Sequence, residues 1–156
     1  MQRVVILGRG GAGKSTFARK LGDVTGLPVI ELDEHFWQAG LVPTSRAQWR
    51  EIQETLASKD GWIMDGDLGR YDDLSVRLKA ADTVLVLDFG LLLCLTRALR
   101  RSRERAEFWW WLASWRWRER PKISRAIAEH ASHAHVTTFS NPEELELFFD
   151  AWSARK

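Results

Sequence analysis

Eight residues near the start constrain this chain more than any other feature in it. Gly8-Arg9-Gly10-Gly11-Ala12-Gly13-Lys14-Ser15 fits G-x-x-x-x-G-K-[ST] without a mismatch. Before it, Val4-Val5-Ile6-Leu7 reads as a buried strand. After it, Phe17, Ala18 and Leu21 recur at helical spacing until Gly26 and Pro28 stop the helix. A strand, a glycine loop and a helix in that order predict a cradle for phosphate. The glycines let successive backbone N–H groups turn inward, and the helix adds the positive end of its dipole. The expected ligand is a nucleoside triphosphate held by Gly8, Gly10, Gly11, Ala12 and Gly13. Lys14 is expected on the β and γ phosphates, the Ser15 hydroxyl on Mg²⁺ and Thr16 on the α-phosphate. Guanine is normally read by N-K-x-D, and the single asparagine, Asn141, is followed by Pro142. The expected cofactors are therefore ATP and Mg²⁺.

The rest of the chain repeats the alternation that the loop begins. Pro28 to Leu32 reads as a second strand ending at Asp33, and Trp62-Ile63-Met64 as a third ending at Asp65-Gly66. Thr83 to Leu87 reads as a fourth ending at Asp88, and His135 to Phe139 as a fifth. Between them, residues 44–58 are expected to be helical, with Trp49, Ile52 and Leu56 on one face. A brief helix is expected up to Ala80, and a long helical region from about Leu91 to Ala131, broken near Pro121. A last helix is capped by Asn141, with Pro142 in its first turn. Strands alternating with helices predict an α/β fold, a five-stranded parallel sheet with helices on both faces. Such sheets bind ligands outside the carboxyl ends of their strands, where Asp33, Asp65 and Asp88 fall.

At 156 residues with 45% apolar side chains, one domain over residues 1–156 is expected. No stretch approaches the roughly 18 consecutive apolar residues of a membrane span. The run at Val4 is too short for a signal-peptide core. The lone Cys94 excludes an intrachain disulfide and a cysteine zinc cluster, and its apolar neighbours predict burial. A cytoplasmic setting is the simplest expectation. The net charge of +2 hides an asymmetry: from Arg97 to Arg125 ten basic residues face three Glu, giving +7. The remaining 13 basic and 18 acidic residues give −5. The basic stretch is a candidate anion-binding element.

Beyond the loop, the chain contains Leu27-Pro28-Val29-Ile30, Leu32-Asp33, Phe36-Trp37, Trp49-Arg50 and Trp62-Ile63-Met64-Asp65-Gly66. It continues with Thr83-Val84-Leu85-Val86-Leu87-Asp88 and an arginine series from Arg97. With these residues it resembles the small adenylate-kinase-like P-loop proteins of the DNA topology modulation group. The resemblance implies a nucleoside-monophosphate-kinase-like fold, an acceptor-binding arm near 34–60 and a helical lid near 97–125. It implies ATP-dependent phosphoryl transfer to a small molecule, with a nucleotide or nucleoside-like acceptor first in line. One departure is Asp67, where the group often has Asn.

Site residues follow from that resemblance. Asp65 is the expected Mg²⁺ carboxylate, with Asp88 as the open alternative. Asp33 is expected to position or deprotonate the acceptor hydroxyl. Arg50 and Asp67 are candidates for acceptor contact. Arg97 and Arg101, four apart on a helix, match the lid arginines that close over phosphates, and Arg116, Arg118 and Arg120 could reach in behind them. Trp109, Trp110, Trp111, Trp115 and Trp117 are expected to pack the lid along one broad stripe. Consecutive indoles cannot all face inward, so some should be exposed, which leaves room for a nucleic-acid or other macromolecular partner.

Overall fold

In a computed structural model, residues 1–40, 42–101 and 106–154 are described, with backbone alone at 70, 101, 106 and 107. β1 (Arg3–Gly8) runs into the glycine loop and α1 (Lys14–Thr25). β2 (Val29–Glu31), α2 (Leu32–Phe36), a two-stranded hairpin of β3 (Trp37–Gln38) and β4 (Val42–Pro43), and α3 (Arg46–Ala57) follow. Next come β5 (Trp62–Asp65), a 3-10 turn at Gly69–Tyr71, α4 (Leu74–Ala80) and β6 (Thr83–Leu87). The chain ends with α5 (Leu91–Arg101), α6 (Ala106–Arg118), α7 (Arg120–His130), β7 (His135–Phe139) and α8 (Pro142–Ser153).

The sheet is the expected one: five parallel strands in the order β2-β5-β1-β6-β7. β1 lies at its centre, with Val4 opposite both Ile63 and Thr83. Strand residues alternate between two cores. Val5, Leu7, Trp62, Met64, Val84 and Val86 pack with Trp49, Leu78 and Ile123 of α3, α4 and α7. Val4, Ile6, Ile63, Leu85 and Leu87 pack with Phe17, Leu21, Cys94 and Phe149 of α1, α5 and α8. Both faces are covered, which explains why the strands read as continuous apolar runs.

Three local details differ from the sequence expectation. Asp33 does not end a strand. β2 stops at Glu31, and Asp33 lies in the first turn of α2, where Asp33 and Glu34 meet the positive end of the helix. The β3–β4 hairpin, closed by the Thr44 hydroxyl on the Phe36 carbonyl, had no turn signature strong enough to predict it. The tryptophans of α6 also split: Trp115 is fully buried and Trp111 partly so, while Trp110 and Trp117 are 66% and 76% exposed. Positions seven apart share a face, so Trp110 and Trp117 stay together on the outer one. The break near Pro121 occurs as expected, with Glu119 separating α6 from α7 and the proline in the first turn of α7.

Candidate active site

The glycine loop joins the central strand to α1, and contact as well as conformation requires its glycines. Gly11 has φ +77, and a Cβ on it would lie 2.3 Å from the Cys94 carbonyl oxygen. A Cβ on Gly10 would lie 2.8 Å from Trp111 and 2.9 Å from Phe108, so the lid helix α6 rests directly on the loop. Lys14 folds back over its own loop and donates Nζ to the Gly8 carbonyl at 2.8 Å and to that of Arg9 at 3.3 Å. Arg97 reaches from α5 and donates Nη1 to the Ala12 carbonyl at 3.1 Å. Two cations are thus held at the loop by weak carbonyl partners that phosphate oxygens would outbid. A cleft of about 360 Å³ opens beside them, lined by Gly13, Thr16, Lys20, Arg97, Arg100 and Pro142 among others.

Asp65 stands next to this loop because β5 pairs with β1, Ile6 opposite Asp65. Its carboxylate is hydrogen-bonded to the Ser15 side chain and feels the charge of Lys14. The residue is 4% exposed, and Oδ1 is buried with no hydrogen-bond partner among the described residues. Burial pushes its pKa above the usual carboxylate range, and Lys14 and Ser15 oppose that push without overcoming it. An orphaned carboxylate oxygen beside a serine hydroxyl, both hard oxygen donors, fits a Mg²⁺ ion. Asp88 shares the orphaned oxygen, its Oδ1 also being buried with no hydrogen-bond partner among the described residues, but differs in its neighbours: Arg120 engages Oδ2, Arg116 lies 3.7 Å from Oδ1, and the residue is on the opposite side of β1.

Two further carboxylates, Asp33 and Asp67, feel the charge of Lys14. Asp33 is pushed up by burial of its carboxyl, with Asp65 and Asp72 adding to the rise, while Lys14 and a hydrogen bond from Trp37 pull it down. The residue keeps an exposed face, so water softens the shift. Asp67 is raised by burial and by Asp72, against the Gly69 N–H that donates to its Oδ1 at 2.9 Å. The Trp115 indole N–H lies 3.5 Å from Asp67 Oδ2. Lys14, Ser15, Asp33, Asp65 and Asp67 therefore form one electrostatic group, drawn from the loop, α1, α2 and the end of β5.

Arg50 is not part of that group. It is exposed on α3 and bound to Glu54 at 3.0 Å and Asp73 at 3.4 Å. The Arg101 side chain lies outside the described residues. Arg118 is exposed. Sequence reasoning missed Arg77, which anchors the turn after β5. Fully buried, it donates to Asp72 at 2.7 Å, to Gln53 at 2.9 Å and to the Gly66 carbonyl at 3.1 Å. It thereby fixes the turn that carries Asp65 and Asp67. An arginine in a short amphipathic helix has no sequence signature that separates this role from a solvated one.

No family model matches the sequence, nor does any curated protein sequence. Solved structures do match. A shikimate kinase from Acinetobacter baumannii in complex with shikimate has a TM-score of 0.64 at 17% identity, covering 97% of this chain and 94% of that one. A gluconokinase from Sinorhizobium meliloti 1021 has 0.60 at 18%, covering 99% and 92%. A deoxyadenosine kinase from M. mycoides with bound dCTP has 0.52 at 15%, covering 97% and 98%. The fold is that of the P-loop kinases. At these identities the likeness carries the fold alone, and it does not single out the topology modulation group. No helix among the described residues is long and apolar enough to cross a membrane.

Proposed function

We propose that this chain is an ATP-dependent small-molecule kinase that transfers a phosphoryl group to a hydroxyl of its acceptor. The observation that carries the reading is the meeting of Lys14, Ser15, an orphaned Asp65 oxygen and Asp33 around one glycine loop. Phosphoryl transfer asks a protein mainly for position and positive charge. The loop N–H groups and Lys14 would bind the phosphates, Lys14 exchanging its two carbonyl partners for phosphate oxygens. Arg97 would add a charge from the lid side. Ser15 and Asp65 would hold Mg²⁺, which would neutralise negative charge on the phosphates. Asp33, with its raised pKa and its tie to Trp37, would orient the acceptor hydroxyl and accept its proton. Asp67 would border the same space. The cleft by Thr16, Arg97 and Pro142 would take the rest of the nucleotide.

A nucleotide or nucleoside-like compound remains the first acceptor to try. Because Arg50 is already paired with two carboxylates, nucleosides and neutral hydroxylated compounds belong in the panel beside monophosphates. The test is ADP release with each acceptor, against a Lys14→Ala control. A rate above control for one acceptor class supports the reading, and no rate above control for any of them sinks it. The exposed Trp110 and Trp117 next to Arg118 favour a second reading, a nucleic-acid-associated regulator using ATP as a switch. Flat DNA and RNA titrations at low salt would remove it.

A further inference from the structure

Two arginines, from α6 and α7, converge on one carboxylate beside the loop, a third in the loop itself feels its charge, and the reaction as set out above leaves them without a task. Asp88 follows β6, the strand that pairs with β1 through Leu87 and Gly8. Its side chain is 6% exposed, and its backbone N–H donates to the Phe139 carbonyl at 2.9 Å. Arg120, at the start of α7, donates its Nε to Oδ2. Arg116, in the last turn of α6, places a terminal nitrogen 3.7 Å from Oδ1. Arg9, the second residue of the loop, donates Nη1 to the Phe89 carbonyl at 3.3 Å and lies 5.4 Å from the centre of the Trp115 ring.

Two features of this cluster call for an anion. The first is charge: Arg9 is 2% exposed with its Nε buried and unpartnered among the described residues, and Asp88, the carboxylate whose charge reaches it, is shared with Arg120 and Arg116. Buried positive charge in excess is costly unless a counter-charge arrives. The second is geometry. Asp88 takes Arg120 through Nε, which leaves its two terminal nitrogens without a partner among the described residues, on a side chain 45% exposed. That terminal pair can grip two phosphate oxygens at once.

We propose that Asp88 is a positioning residue. It holds Arg120 and Arg116 at the mouth of the loop, so that with Arg9 they grip the phosphate chain of the nucleotide from the lid side. The proposal rests on the kinase reading for the identity of the anion. A carboxylate that merely competed with phosphate for these arginines would have the opposite effect when removed, so the sign of the change decides.

The experiment is calorimetric titration of the full chain with MgATP and with inorganic tripolyphosphate, which has the phosphate chain without a base. Asp88→Asn keeps the shape and removes the charge, and Arg120→Lys keeps the charge and removes the Nε anchor. Each is expected to weaken both ligands about tenfold. The double variant is expected to be no more than about threefold weaker than either single one, because both changes break the same contact. Melting temperature is the control for folding. Asp88→Asn binding either ligand as tightly as the parent, or more tightly, overturns the proposal. So does a loss confined to MgATP, which would place the effect at the base. Lys14→Ala separates the two levels: if it binds MgATP like the parent, the phosphate-loop reading itself fails. If it loses MgATP while the Asp88 and Arg120 variants keep it, the clamp alone fails. Should Asp88→Asn not fold, Arg116→Lys and Arg120→Lys, both at exposed side chains, decide in the same way.

Discussion

The phosphate side and the acceptor side of this site are built on different principles. The proposed phosphate side is eight consecutive residues whose backbone would do the binding, with Gly11 fixed by its φ of +77 and the Cys94 carbonyl 2.3 Å from a Cβ there, and Gly10 by the rings of Trp111 and Phe108. The acceptor side is assembled from α2, the end of β5 and the turn before α4, and its shape depends on side chains that meet only after folding. Arg77 on Asp72, Gln53 and Gly66 is its keystone. A site held by backbone conformation should tolerate changes around it. A site held by one buried ion pair should not.

The largest expected effect tests that difference directly. Arg77→Ala leaves Asp72 buried and unpaired, and should cost about 3–5 kcal/mol of stability in chemical denaturation. A loss below about 1 kcal/mol would mean that the acceptor side is held elsewhere. Next is Asp33→Asn, expected to lower turnover about 10³-fold while leaving MgATP affinity unchanged. An equal loss in both would place Asp33 on the phosphate side. Lys14→Ala should show the reverse balance, weakening MgATP binding about 100-fold as the charged contact to phosphate disappears. Direct titration separates these two.

The smallest effect concerns pH. Burial raises the Asp65 pKa, so the folded protein favours its protonated form. That contribution to stability is fully present below the unfolded carboxylate pKa of about 4 and is lost as pH rises through the higher folded value. Asp65→Asn should therefore melt above the parent at pH 7, with the gain vanishing as pH falls below about 4. The same variant should lose turnover. A lower melting temperature at pH 7 would show that the carboxylate stabilises the fold, contrary to its orphaned oxygen.

The loop, the five strands, the break at Pro121 and the pairing of apolar faces were legible because each depends on local spacing. Asp65 was singled out by resemblance, and the register of β5 against β1 places it beside Ser15. Asp88 could not be told from Asp65 in the chain, since both follow an apolar strand. Each keeps a buried Oδ1 without a hydrogen-bond partner among the described residues, and their difference is one of sheet order: Asp65 stands on one side of β1 within the field of Lys14, Asp88 on the other with two arginines. Arg50 shows what spacing cannot reveal: two carboxylates, Glu54 and Asp73, pair with it on the exposed face of α3.

By itself, the sequence determined the glycine loop between a strand and a helix, and the proposed phosphate site with it, because such a loop carries its ligand chemistry in consecutive backbone groups. Tertiary structure alone decided which charges are free to act. Whether a carboxylate or guanidinium is spent on a neighbour or left for a ligand depends on contacts between residues far apart in the chain. Asp88 and Arg120, brought together by the path of α5 and α6, are the clearest instance.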